Sequence, residues 1–104
     1  MARKLVLKTL QEQVGSKALR FRYAQILAEV IENAGARGLT IGEMAKRLDL
    51  RNKLRAALAA EADEVVIEET EWTVLKQALA EFPFNAVYES ALELAKDLDN
   101  AVEV

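Results

Sequence analysis

The sequence predicts a mainly α fold: one compact helical domain of about five helices spanning residues 1–104, which also allows a small two-stranded β-ribbon. Three observations carry this expectation. Apolar residues recur at three- and four-residue spacing in several separate stretches, the signature of helices that bury one face. Capping residues stand ahead of those stretches, with Thr40 and Glu43 the clearest pair. Only one run is rich in adjacent β-branched residues, Val65-Val66-Ile67. A chain of 104 residues buries roughly 65% of its unfolded surface, enough for a core without staples.

In chain order, Leu5 and Leu7 alternate with Lys4, Val6 and Lys8, which fits a short strand. The next stretch, Thr-Leu-Gln-Glu-Gln-Val at 9–14, is compatible with helix or loop, and Gly15-Ser16 is the first break, with Ser16 placed to cap the next helix. A long helix is expected from Ala18 to Ala34, its apolar stripe traced by Tyr23, Ile26, Leu27, Val30, Ile31 and Ala34. Gly35 and Gly38 bracket its exit.

Thr40 and Glu43 have the spacing of a capping box, so a helix should begin at about Ile41, with Met44, Ala45 and Leu48 on its core face. Asp49-Leu50 reads as a junction, and a second helix over Arg51 to Glu61 would be anchored by Leu54 and Leu58. Arg51, Asn52, Lys53 and Arg55 would point outward. Glu64 to Glu68 is the best strand, and its glutamates would face the lysines of 4–8 across a ribbon. Thr70 can cap a helix whose buried side is Trp72, Leu75, Leu79 and Phe82, and Pro83 ends it. Asn85 can cap the last helix, with Val87, Ala91, Leu94, Leu98 and Val102 as its inner stripe.

Leu39-Thr40-Ile41, Met44-Ala45, Leu48 and Leu50 stand where a bacterial helix-turn-helix holds small or apolar residues, so the segment 38–58 resembles that motif. The resemblance implies a DNA-binding regulator whose contacts, with nucleic acid or with an acidic partner, would be Arg51, Asn52, Lys53 and Arg55. It also has departures. Asp49 replaces the usual turn glycine, Arg55 falls where the family buries an aliphatic residue, and no second hairpin strand comes after it to build a wing.

The second half has a different likeness. Residues 65–72, Val-Val-Ile-Glu-Glu-Thr-Glu-Trp, continuing through Leu75 to Phe82-Pro83-Phe84, resemble an acidic strand, aromatic-led helix and aromatic-proline bend of small tailed-phage or prophage proteins of unassigned function. This implies a phage setting rather than an activity. Trp72 and Phe84 are candidate partner anchors, weighed against the ordinary burial of large apolar side chains in a core.

The chemical inventory is spare. The chain has no His and no Cys, which removes Ser-His and Cys-His arrangements, disulfides and the common zinc sites. Ser16 and Ser90 have no base beside them in sequence, Gly35, Gly38 and Gly42 do not form a phosphate loop, and Glu68, Glu69 and Glu71 read as a solvated acidic face. No catalytic residue, cofactor or metal is expected. Residues 1–60 hold 12 Lys and Arg against 5 Asp and Glu, whereas residues 61–104 hold 2 against 12. Opposite halves of that kind can neutralise each other within one domain. With no apolar run of spanning length, the chain reads as soluble and located in the cytoplasm, that of a host cell if phage-encoded. The resulting expectation is a non-enzymatic interaction or assembly protein of phage type with a protein partner. A second copy of the chain and DNA are further candidate partners, giving a homo-oligomer or a nucleic-acid complex. No membrane is expected, and a helix-turn-helix regulator is the alternative.

Overall fold

The computed structural model describes residues 1–33 and 38–104. Those residues form four helices and five strands in the order β1 (Ala2–Val6), β2 (Thr9–Val14), β3 (Lys17–Arg22), α1 (Tyr23–Glu32), α2 (Ile41–Ala59), β4 (Glu64–Glu68), α3 (Glu69–Glu81), α4 (Glu89–Asp99), β5 (Val102–Glu103). The fold is α+β, with a three-stranded sheet ordered β4-β1-β5 and a two-stranded ribbon β2-β3. This corrects the mainly α expectation of about five helices, and three local decisions account for the difference.

The first is at the N-terminus. Residues 9–14 are a strand, not helix or loop, and residues 17–22, expected as the first turns of a long helix, are the strand that pairs with it. Gly15-Ser16 is the two-residue loop between them, and Gly15 takes φ +61°, the positive value that a primed hairpin turn requires at its first central position. Phe21 is buried and its neighbours Arg20 and Arg22 face away, a period-two pattern that the helical stripe beginning at Tyr23 conceals. The helix therefore begins only at Tyr23. Its expected end at Ala34, and the glycine at 35, lie outside the described residues.

The second is α2, which runs unbroken for 19 residues through Asp49-Leu50, where a junction between two helices is expected. The capping box starts it as anticipated: Glu43 N donates to Thr40 Oγ1 at 3.2 Å, and the Glu43 carboxylate reaches back to the Thr40 backbone N–H. Beyond Gly42 no Gly or Pro interrupts the segment, so nothing in its propensity stops the helix at 49. It stops at a Schellman motif instead, with Ala62 N donating to Ala57 O, Glu61 N to Leu58 O, and Glu61 itself at φ +51°.

The third is the C-terminus. β1 pairs with β4 in antiparallel register, Leu5 opposite Val65 and Arg3 opposite Ile67, so these positions share the core face while Val6, Val66 and Glu64 lie outside. Residues 102–103 then leave α4 and add a third strand on the other edge of β1. Val102, expected on the inner stripe of the last helix, is exposed. Asn85 does not cap α4, which begins at Glu89, and Val87 is 88% exposed. Thr70 is likewise not a cap, because α3 begins one residue earlier at Glu69 with Glu68 as its N-cap.

One core joins the layers, with Leu5, Tyr23, Leu27, Leu54, Leu75 and Leu94 among its members. Among the described residues, no helix is long and apolar enough to cross a membrane.

Candidate interaction surfaces

Leu50 and Leu54 are fully buried and fasten the second half of α2. The first half is different. Met44 is 49% and Leu48 46% exposed, and Ala45 is exposed beside them, so the stripe expected to enter the core faces outward, and Ile41, 80% exposed at the helix start, extends it. Together with Leu39 and the Ile31 end of α1 it lines an open cavity of about 580 Å³ whose rim carries Arg47, Arg51 and Arg55. Exposed apolar surface gathered on one helix face and rimmed by charge is the anatomy of a contact surface.

The four residues singled out on α2 have different partners. Lys53 Nζ donates to Glu71 Oε1 at 2.7 Å, and Arg55 is ion-paired with Glu32. Arg51 donates to Asn52 Oδ1 at 3.3 Å, and its Nε is buried with no hydrogen-bond partner among the described residues. Arg47, which no sequence pattern singles out, donates to the carbonyls of Ile31 and Asn33 at 3.3 and 3.0 Å and so satisfies the end of α1.

The two candidate anchors are half-buried. Trp72 Nε1 donates to Leu98 O at 2.8 Å, while the Arg3 guanidinium lies 3.7 Å and the Lys76 ammonium 4.2 Å from its ring centroid. Arg3 is itself held by Glu69 through two bonds, Nε to Oε2 at 2.9 Å and Nη2 to Oε1 at 3.1 Å. The hydrogen bond from Arg3 keeps the Glu69 carboxyl below its ordinary pKa. Trp72 thus clasps α3, α4 and β1 together. Phe84 belongs to an aromatic chain, 4.7 Å from Phe82 and 5.9 Å from Tyr88, which in turn lies 6.4 Å from Phe21. One edge of that chain lines a groove of about 480 Å³ with Val87 and Leu92, and the other a groove of about 450 Å³ with Leu19 and Ile26.

Two polar clusters have no signal in the sequence. Glu12 of β2 is buried, and its carboxylate accepts from Glu89 N at 2.9 Å, Ser90 N at 3.3 Å and Ser90 Oγ at 2.6 Å, which caps α4 from 77 residues away. The Ser90 hydroxyl and the two backbone N–H groups outweigh burial and hold the Glu12 carboxyl below its usual range. Asp97 Oδ2 accepts from the buried Tyr23 hydroxyl at 2.7 Å and from Lys8 Nζ at 3.0 Å. Burial works against the Asp97 charge, yet these two donors prevail and keep its carboxyl low, while burial and the neighbouring carboxylate push the Tyr23 hydroxyl up. Among the described residues no group of three or more acidic side chains is arranged to hold a metal ion. Of the three glutamates noted in sequence, Glu69 and Glu71 are engaged by Arg3 and Lys53, and Glu68 is exposed.

No protein-family profile, no curated protein and no solved structure matches this chain.

Proposed function

We propose that the chain is a non-enzymatic interaction or assembly protein of phage or prophage type, acting by protein–protein contacts in the cytoplasm of a host cell. The observation that carries this reading is the outward-facing stripe Ile41, Met44, Ala45 and Leu48 on a helix whose other half is firmly packed. Its capping box gives that half a defined start, and Arg47 fastens it to the end of α1, so the apolar face is presented on an ordered helix. Phe84 with Val87 and Leu92 offers a second apolar edge, whereas the engagement of Trp72 with Arg3 and Leu98 supports a structural role for that side chain. The alternative, a helix-turn-helix transcriptional regulator, has less support, because α2 is continuous through 49–50 and Lys53 and Arg55 are engaged with Glu71 and Glu32.

The test replaces Ile41 and Leu48 together by Glu and places a photo-crosslinker at Met44 in the parent and variant chains. The variant should keep its melting temperature and lose the crosslinked adducts that the parent forms in host extract. A loss of stability above about 2 kcal/mol, the mark of a packed site, would overturn the reading. So would adducts that survive the double substitution.

A further inference from the structure

The β2-β3 ribbon carries a feature that the α2 surface does not explain. Its register places Thr9 opposite Arg22, Gln11 opposite Arg20 and Gln13 opposite Ala18, so these six side chains share one face. Five of the six are exposed, and Arg22 is half-buried. That face contains no carboxylate, since the single acid of the ribbon, Glu12, lies on the opposite side and is engaged at the start of α4. Arg20 and Arg22 make no ion pair among the described residues, as Lys46, Arg47, Arg51 and Lys96 make none, while Arg3, Lys4, Lys8, Lys53, Arg55 and Lys76 all do; Lys17, opposite Val14, lies on the other face of the ribbon. In a chain with 17 acids and 14 bases, two such cations on a ribbon face that carries no acid are a local excess of positive potential.

We propose that this outer face binds duplex DNA of B form, with Arg20 and Arg22 meeting phosphates and base edges and Gln11 and Gln13 beside them. Charge complementarity selects a polyanion, and the shape selects the duplex. A two-stranded antiparallel ribbon fits the B-form major groove, whereas the deep, narrow major groove of A-form RNA excludes it. Arginine and glutamine are also the side chains whose planar ends pair in bidentate fashion with guanine and adenine. The cavity at the base of the ribbon is lined by Lys8, Arg20 and Arg22 but also by Glu61 and Asp63, and Lys8 is already held by Asp97. The duplex therefore approaches the exposed face rather than the base. That face lies by the C-terminal end of α2, whose Ala57 and Leu58 line the same cavity, so it is separate from the apolar stripe at 41–48 and independent of the reading given to it.

The experiment is fluorescence anisotropy of a labelled 20-base-pair DNA across a salt series, on the full chain. With two cations in contact, the slope of log affinity against log salt should be about −1.8, and low-salt binding should fall in the range of about 10⁻⁶ to 10⁻⁴ M or tighter. Arg20→Glu with Arg22→Glu should weaken binding more than tenfold, and Lys46→Glu with Arg51→Glu on α2 less than threefold. Duplex RNA of the same length should bind more than tenfold more weakly than the DNA. If the ribbon variant alters the circular dichroism spectrum, Arg20→Gln with Arg22→Gln takes its place, with most of the salt slope expected to vanish. Undetectable binding at 50 mM salt, an equal or greater loss in the α2 variant, or equal affinity for duplex RNA would each overturn the proposal.

Discussion

Helices α2 and α4 solve the same problem at their first turns by different means, and the contrast explains why one is legible and the other is not. Every helix starts with backbone N–H groups that lack intrahelical partners. In α2 they are met by Thr40 and Glu43, neighbours in the chain. In α4 they are met by the carboxylate of Glu12, which belongs to a strand 77 and 78 residues away. A local cap makes a helix start that does not draw on a distant strand, so the first half of α2 can carry exposed Ile41, Met44 and Leu48. The remote cap makes α4 conditional on the ribbon being docked. It also gives Ser90 a role in the fold, because the serine hydroxyl shares the buried carboxylate.

Substitutions can break this contrast in graded steps. The largest effect should come from Leu54→Ala, which removes a fully buried side chain from the fastened half of α2 and should cost about 2 to 5 kcal/mol in denaturant unfolding. Glu12→Ala comes next: it strips three hydrogen bonds from the start of α4, and the melting temperature should fall further than for Thr40→Ala, which loses a local and exposed cap worth about 1 kcal/mol. An equal fall for the two would mean that α4 does not depend on the ribbon.

Acid sharpens the same point. The folded-state pKa values of Glu12, Glu69 and Asp97 are lowered, so their contribution is present above the unfolded carboxylate values near pH 4 and is lost as pH falls through the folded ones. Glu12→Gln should reduce the steepness of that acid transition, whereas Thr40→Ala should leave it unchanged. Smaller still, Glu61→Gly should stabilise the end of α2 by up to about 1 kcal/mol, because glycine tolerates the positive φ that Glu61 adopts. Leu48→Ala should move stability by less than about 0.5 kcal/mol, as an exposed position does. A loss above about 2 kcal/mol there, the cost of a packed position, would erase the distinction between the two halves of α2.

What was legible in the residues is what nearest neighbours decide. The capping box at 40–43, the strand character of 64–68 and the stripe from Tyr23 to Ile31 all arise from spacings of a few positions, and the N-terminal partner strand was legible too, though it runs over Ala2–Val6 rather than 4–8 and sets Lys4 opposite Val66. The hairpin at Gly15-Ser16 had a signal too, a glycine-serine pair between two alternating runs, but the strong helical stripe after it masked the period of two in Lys17–Arg22. The α2 surface was half legible: the apolar spacing of Met44, Ala45 and Leu48 could be read, but not the side it faces. Periodicity defines a stripe, and only the packing of α2 against α1, α3 and β4 determined that Leu50 and Leu54, rather than Met44 and Leu48, meet the core. The same limit applies to the third strand at 102–103, the cap from Glu12 and the Tyr23-Asp97-Lys8 cluster. Each depends on groups far apart in the chain meeting at hydrogen-bond distance, and such meetings exist only once the tertiary structure has formed.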